Sequence, residues 1–560
     1  MQVRSAGETR MPTPSDIFYG TPIYNTPPTH RYNVQPREFN NELTYLTQQQ
    51  ADNVEAFHQA YEEAVKSVRE SLGGSHPLQI NGEAVETGDT FTVTSPGNQN
   101  LEIGEFAEGS EREVEAAVSA AKAAAPDWET FDVDSRVEIF QNAADIMRDR
   151  KYELAATVSL ENGKNRTEAM ADVDEAIDFL DFYSSEFERA NGYEFDTGEP
   201  TPGQHTTNLL RPYGVFAVIS PFNFPMALFV GMSAGALITG NTVVAKPAST
   251  TPLVARKYVD ILEEAGLPDG VLNLVMGGGS DVGQPLVEHE DVSGVAFTGS
   301  RGVGLHIQES FMELGKRGPV IAELGGKNPV IVSDTADIDE AVEGVKNGAF
   351  SFSGQKCSAT SRVYVYESVI DEFTDKLVTE AEELTIGPAT DRDTFVSPLI
   401  NDGALEDYQE ITEQARNDGT VHTGGNVVTD GDLDAGRFVE PTVVTDIPHE
   451  HELAREEHFL PFVTIHPVSG LEEGIEKSND SEYGLCAGLF STDETEIDHW
   501  FDEIESGMCY VNRNQSATTG ALVQAQPFGG WKFSGTTGKF AGGYWYLQQF
   551  MREQSRTRVE

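Results

Sequence analysis

Val215-Phe216-Ala217-Val218-Ile219-Ser220-Pro221-Phe222-Asn223-Phe224-Pro225 decides the fold. Five apolar residues in a row end at a polar, proline-bearing turn, which reads as a strand covered on both faces. An apolar stretch of helical length follows over 226–238, and a second apolar strand over 242–245. The alternation continues with a helix at 252–265, a strand at 271–275, a helix at 282–289 and a strand at 295–297. A helix around 302–314 and a strand at 320–324 close the block. Strands alternating with helices in this way imply right-handed βαβ crossovers and a parallel sheet with helices on both faces. Ligands of such sheets sit beyond the carboxyl ends of the strands.

A second alternating block runs to about residue 512, with strands at 329–332 and 363–365 and helices at 337–350 and 367–384. Upstream, Val54, Phe57, Tyr61, Val65 and Val68 recur at helical spacing over 53–72, and helical patterns return at 111–124, 135–148 and 167–190. Residues 1–40, rich in Pro, Thr, Asn and Tyr, have no apolar period and read as an N-terminal extension, within which Met11 is an alternative start. The glycine-rich, aromatic stretch 513–550 reads as packed loops. At 560 residues the chain is long for one core, so two or three domains are expected.

Acidic residues number 92 against 38 basic, for a net charge of −54, and only 14 of the bases are lysines. The acids are spread along the chain (Glu105, Glu111, Asp172, Glu263, Glu382, Glu496) rather than gathered in a tail. That spread favours a surface adapted to high salt, where ions screen carboxylate repulsion, over a polyanion built for basic partners. Nucleic-acid binding is disfavoured, since phosphate contact needs a basic face. No run of about 18 apolar residues suits a membrane span, and the polar N-terminus lacks a signal-peptide core. Three cysteines are too few for a disulfide framework. The expected location is the cytoplasm.

Four features carry the chemistry. Asn223, at the end of the first strand, either donates an amide N–H to an oxyanion or shapes the turn. Gly240-Asn241-Thr242-Val243-Val244-Ala245-Lys246-Pro247 puts a lone lysine at a strand end, where it bonds ribose hydroxyls or stands in solvent. Phe297-Thr298-Gly299-Ser300-Arg301-Gly302-Val303-Gly304 is a turn entering a helix, whose amides and dipole suit a pyrophosphate. Its spacing is not GxGxxG, and neither is that of 277–283. Last, Glu323-Leu324-Gly325-Gly326-Lys327-Asn328-Pro329 sets a carboxylate at a strand end, a candidate base, and Gly354-Gln355-Lys356-Cys357-Ser358 follows it. Cys357 lies among polar residues, where partial exposure and a lowered thiol pKa are expected. Cys486 and Cys509, in apolar settings, read as small buried hydrophobes.

In that order, SPFNFP, GNTVVAKPA, FTGS, ELGGKNP, GQKC and the pair Glu457-x-Phe459 resemble the aldehyde dehydrogenase superfamily over about residues 75–555. The resemblance implies an α/β fold of two doubly wound parallel-sheet domains plus a small β oligomerisation element. The dinucleotide-binding domain would take 41–192 and 214–324, and the catalytic domain 325–512. An oligomerisation hairpin, a substrate-anchor loop and the tail would take 193–213 and 513–560. Cys357 becomes the nucleophile, Asn223 and the Cys357 amide the oxyanion donors, and Glu323 the base. Lys246 binds the adenosine ribose, with Ser249 near its 2′-hydroxyl. Ser300 meets the pyrophosphate, with Ser220 and Gly299 beside it, and Glu457 with Phe459 holds the nicotinamide ribose. No metal is implied. One departure is Leu460, where the family usually has glycine. The implied chemistry is thiolate attack on an aldehyde, hydride transfer to a nicotinamide, and hydrolysis of the thioester by water that Glu323 activates. The implied assembly is a homodimer or higher homo-oligomer, with 193–213 and 540–560 pairing as strands across the subunit interface.

Asn512-Arg513, Thr518-Thr519-Gly520-Ala521-Leu522-Val523, Gln526-Pro527-Phe528-Gly529-Gly530 and the closing GGYWYLQQFMREQSRT are similar to the branch that oxidises L-glutamate γ-semialdehyde, from Δ1-pyrroline-5-carboxylate, to L-glutamate. There an anchor loop, mapped to Gly520 and Ala521, binds the α-carboxylate through backbone amides with help from Ser358; the bland alternative is an ordinary turn. Glu168 faces the α-ammonium or is a solvated helix acid, and Phe224 and Phe528 wall the aliphatic part. The expected cofactor is NAD, with NADP accepted less well, because Ser249 stands where a carboxylate often repels the 2′-phosphate. The rivals are a dehydrogenase of succinate or α-ketoglutarate semialdehyde, a CoA-acylating relative, and a silent dinucleotide-binding protein. Cys357, Glu323 and Asn223 together count against the last.

Overall fold

The computed structural model describes residues 39–514 and 522–560, so the expected extension falls almost entirely outside the described residues. Val215–Ile219 belongs to a seven-stranded sheet and is the middle one of its five parallel strands. On one side stand Thr242–Lys246 and then Leu272–Leu274; on the other stand Val292–Thr298 and then Val320–Glu323, all parallel. The hairpin Leu78–Ile80 and Glu83–Val85 extends the first side antiparallel. The chain steps outward from the central strand in one direction and then returns to its other side. That reversal opens a crevice at the carboxyl ends of Val215–Ile219 and Val292–Thr298.

Every expected element of this block forms, with ends shifted by a few residues. The 282–289 helix is the loosest match: Gly279–Gly283 makes a wider π turn before Gln284–Glu288. Helix Ala227–Ile238 has no polar face because it is buried on nearly every side between the sheet and helix Arg166–Arg189. Helix Lys151–Asn162 has no counterpart in the sequence reading. It is buried without interruption from Leu154 to Asn162, so no amphipathic stripe marks it. Within it, Glu161 accepts from Leu253 N and Val254 N at 2.7 and 2.9 Å and thereby caps helix Pro252–Glu264.

The second sheet runs Thr420–Thr423, Thr442–Thr445, Phe462–Val468, Thr360–Tyr366, Asn328–Val332, Cys486–Phe490, Met508–Val511 and is parallel except for the first strand. A third sheet joins Glu194–Gly198, Gln204–Pro212 and Met551–Val559. Gln204–Pro212 and Met551–Val559 pair antiparallel within one chain, which corrects the expectation of pairing across subunits. The reason is local: the turn Leu547–Phe550 leads directly into the last strand, and the Phe550 carbonyl is tied to Asn241 of the same chain.

Asn241 is fully buried and joins three parts of the molecule. Its Oδ1 accepts from Tyr213 N and Gly214 N at 2.8 and 3.0 Å. Its Nδ2 donates to Ala236 O, Thr239 Oγ1 and Phe550 O at 3.2, 3.0 and 2.9 Å. Asn241→Ala strands these buried groups, at about 1–3 kcal/mol for each left without a partner. The thermal midpoint should fall by several degrees, measured by calorimetry; an unchanged midpoint would mean that the joint carries no stability.

Candidate active site

Beyond the crevice, Ser220 N bonds Lys246 O at 3.1 Å, and Lys246 itself is buried at the end of its strand. Its ammonium donates to Pro247 O at 3.1 Å, and burial lowers its pKa to about 8. This excludes the solvated alternative. A buried ammonium with no ion pair among the described residues has donor capacity left for a ligand's hydroxyls. Ser249 Oγ donates to Gly277 O at 3.0 Å on an exposed turn. Opposite, Gly299 leaves strand Val292–Thr298, and Ser300 is the N-cap of helix Arg301–Glu313; its side chain makes no capping bond. The first-turn amides of a thirteen-residue helix thus face the crevice, where they suit a phosphate. Among the described residues no group of three or more His, Cys, Asp or Glu can hold a metal.

Cys357 is half-exposed on a strained loop. Phe352 (φ 48°), Ser353 (φ 53°) and Gly354 (φ 65°) all lie in the left-handed region just before it. Gln355, fully buried, holds that conformation by donating to Phe352 O and Pro398 O, both at 3.2 Å, and accepting from Ile400 N at 2.9 Å. Asn328 fixes the other end: Nδ2 donates to Cys357 O and Ala359 O, both at 2.8 Å, while Oδ1 accepts from Cys486 N at 3.0 Å. The Cys357 side chain packs, with Phe528, on Leu485, Cys486 and Met508. Cys486 is the small buried hydrophobe expected of it. Ser358 is buried next along the chain, and Asn223 is buried in the turn after the central strand.

The expected lowering of the Cys357 pKa is overturned. Burial pushes the thiol well above its ordinary value, and Cys486, Glu457 and Glu323 push the same way. The cation next door gives no relief, because Lys356 donates to Glu168 Oε1 and to Ser351 Oγ at 2.8 Å.

Glu323 ends its strand with Oε2 buried and without a hydrogen-bond partner among the described residues. Burial raises its pKa well above the usual range, against the opposing backbone N–H of Gly530. Glu457 Oε1 accepts from Gly326 N at 2.9 Å, and burial lifts this carboxyl to about 7. Lys327 donates to Leu453 O at 2.9 Å, and burial lowers it to about 7. A Cβ on Gly325 would run into the Glu457 carboxylate; one on Gly326 would stand 2.5 Å from Cys357 O. Loop 530–536 closes this corner: Leu324 N bonds Ser534 O at 2.9 Å, and Ser534 Oγ donates to Gly325 O at 2.7 Å. The Leu460 departure is harmless. The left-handed residue is Phe459 (φ 62°), whose ring meets Phe222 at 5.8 Å, and Leu460 is an ordinary buried core residue.

A cavity of about 460 Å³ reaches Lys356, lined in part by Glu168, Phe224 and Lys164. Lys164, fully buried, stands 3.4 Å from the centroid of the Phe224 ring and pairs with Asp172 at 3.2 Å, which fixes that wall. Glu168 is not a solvated acid: its side chain is largely covered, and Oε2 is buried without a partner among the described residues. Gly520 and Ala521 lie outside the described residues. Sequence reasoning gave no role to Asn328, Gln355 or Lys164. The first two stood in the quoted motifs, yet spacing alone does not reveal what an amide clamps.

The aldehyde dehydrogenase family model matches residues 84–555. The chain belongs to the aldehyde dehydrogenase family. Among relatives of this dehydrogenase, 1-pyrroline-5-carboxylate dehydrogenase 1 of Halalkalibacterium halodurans is 39% identical over 507 residues, covering 90% of this chain and 96% of the relative. The 1-pyrroline-5-carboxylate dehydrogenase of a Geobacillus species is 38% identical over 511 residues, with the same coverages. A solved 1-pyrroline-5-carboxylate dehydrogenase from Thermus with bound NAD superposes with a TM-score of 0.87 at 36% identity, over 94% of this chain and all of that one. A betaine aldehyde dehydrogenase from Staphylococcus aureus in complex with NAD+ gives 0.83 at 29% identity, over 89% and 97%.

With the thiol pKa raised, little thiolate exists at neutral pH in this dehydrogenase without cofactor. Alkylation of Cys357 by iodoacetamide should be slow at pH 7 and rise about tenfold per pH unit to beyond pH 9. Residual activity gives the rate, and a flat profile between those values would show that the thiolate is already formed.

Proposed function

We propose that this dehydrogenase oxidises L-glutamate γ-semialdehyde, the open form of Δ1-pyrroline-5-carboxylate, to L-glutamate in proline catabolism. The observation that carries the reading is the cavity at Lys356, where the free oxygen of Glu168 suits an α-ammonium and Phe224 an aliphatic chain. Gly520 and Ala521 are proposed for the α-carboxylate with Ser358, and Phe528 for the opposite wall.

The Cys357 thiolate, its proton released to solvent, bonds the aldehyde carbon, and the amides of Asn223 and Cys357 take the charge that grows on the oxygen. A nicotinamide dinucleotide held by Ser220, Lys246, Ser249, Gly299, Ser300, Glu457 and Phe459 supplies the hydride acceptor. The carbon is then a thioester on Cys357. Glu323 takes a proton from the water that attacks it, the acid departs and the sulfur is free again. Its raised pKa makes Glu323 a stronger base than an ordinary carboxylate. The domain division expected from the sequence accompanies this proposal, as do a salt-adapted surface, a cytoplasmic location and a homodimer or higher oligomer. Exposed Phe195 and Val559 on the third sheet offer the apolar contact for that assembly.

A substrate panel in about 2 M KCl tests the reading, with surface charge screened within about 3 Å at 1 M. The expected order of kcat/KM puts L-glutamate γ-semialdehyde above succinate and α-ketoglutarate semialdehydes, with NAD ahead of NADP by a modest factor and activity lost at about 0.1 M KCl. A higher kcat/KM on succinate semialdehyde would refute the substrate assignment, better use of NADP the cofactor assignment, and equal activity at both salt levels the salt adaptation.

Two variants separate the steps. Cys357→Ala should abolish turnover and leave dinucleotide binding, read by fluorescence quenching, nearly intact. Glu323→Gln should release about one equivalent of reduced nicotinamide in a burst and then turn over at least about 100-fold slower. An undiminished steady rate in either variant removes that residue from its step.

A further inference from the structure

Between helices Lys151–Asn162 and Arg166–Arg189 the chain makes a short link in which Gly163 is left-handed (φ 88°). Residues of this link and of the second helix hold the turn after strand Val215–Ile219 at three points. Asn162 Nδ2 donates to Phe222 O at 2.8 Å. The Lys164 ammonium stands 3.4 Å from the centroid of the Phe224 ring. Asp172 Oδ1 accepts from Ala227 N at 2.8 Å, at the start of helix Ala227–Ile238. Asn162, Lys164 and Asp172 are all fully buried, and Asn223 lies between the first two points of attachment.

Lys164 reaches further than the other two. Its ammonium is also 5.4 Å from the centroid of the Phe352 ring, and Phe352 is the first of the three left-handed residues before Cys357. One side chain thus meets both the turn that carries Asn223 and the loop that carries Cys357. Asp172 Oδ2, 3.2 Å away, balances its charge. The Ala227 N–H on the other oxygen favours the carboxylate, so the proton stays with the lysine. Glu168 and Lys356, the other charges that act on it, pair with each other. Stability alone does not account for such a pair, because apolar side chains of similar volume fill a buried site at least as well. An apolar side chain, however, has no charge with which to draw two ring faces toward one point.

We propose that Lys164 is a positioning residue: seated between the Phe224 and Phe352 rings, its ammonium fixes the distance from Asn223, the oxyanion donor, to the sulfur of Cys357. This rests on the reading of Asn223 and Cys357 given above and adds the group that sets them against each other. A misplacement of about 1 Å costs such a site about 100-fold in rate. The loss falls on kcat, since the oxyanion forms only as the sulfur bonds the carbon.

The test is a double-mutant cycle on L-glutamate γ-semialdehyde with NAD in about 2 M KCl. It compares the unaltered enzyme, Lys164→Met/Asp172→Asn, Asn223→Ala and the triple variant. Both charges are removed together, so that neither is left buried without its partner. The charge-free pair should lower kcat about 10- to 100-fold, with KM and the dissociation constant of NAD changed less than about threefold. Asn223→Ala should lower kcat by about 100-fold or more, and adding the pair to it should cost less than about twofold further. Phe352→Leu keeps both charges and removes one ring; it should lower kcat about 3- to 10-fold at constant KM, which gives a second reading if the pair variant does not fold. An unchanged kcat in the pair variant, a full additional loss in the triple variant, or a rise in KM and in the NAD dissociation constant as large as the fall in kcat overturns the proposal. An unchanged kcat in Asn223→Ala removes the oxyanion donor itself, so that failure is read from a separate arm.

Discussion

Neither Gly325 nor Gly326 has room for a Cβ, and the site depends on that fact. Here the chain leaves the last strand of the first sheet and enters the second, between strands Val320–Glu323 and Asn328–Val332. The bare backbone lets the Glu457 carboxylate close on one side and the Cys357 carbonyl on the other. Gly326 N holds Glu457, and Asn328, two residues on, holds the backbone of Cys357. Any side chain at the crossing would force the Glu457 carboxylate or the Cys357 backbone away from it.

The same closeness crowds protein around these groups, and that burial explains their electrostatics. Glu323, Glu457, Lys246, Lys327 and Cys357 all shift toward their neutral forms, with burial the largest cause each time.

Of the left-handed backbone in the described residues, two stretches adjoin the site. Three successive left-handed residues, Phe352, Ser353 and Gly354, precede Cys357, and Phe459 is left-handed two residues after Glu457. Such backbone persists only where its surroundings over-determine it. Gln355 does this for the cysteine loop, and the packing of Phe459 on Phe222 and of Leu460 in the core does it for the other.

The apolar runs from Val215 to Glu323, each closed by Gly, Pro or a polar residue, determined the alternating fold on their own, because buried strand length and helix length are written in composition. The ordered motifs likewise marked Asn223, Lys246, Ser300, Glu323, Cys357 and Glu457, since a strand end or helix start is a local property. Helix Lys151–Asn162 stayed hidden because it is buried all round and shows no stripe. Whether 204–212 meets 551–559 within the chain or across a dimer was equally hidden, as strand pairing is a long-range choice that here follows from Asn241 gripping Phe550. The direction of the Cys357 pKa was misread for the same reason. Its sequence neighbours are polar, but its neighbours in space are Leu485, Cys486, Met508 and two carboxyl groups. Hydration is decided by what packs around a group, and only the tertiary structure determines that.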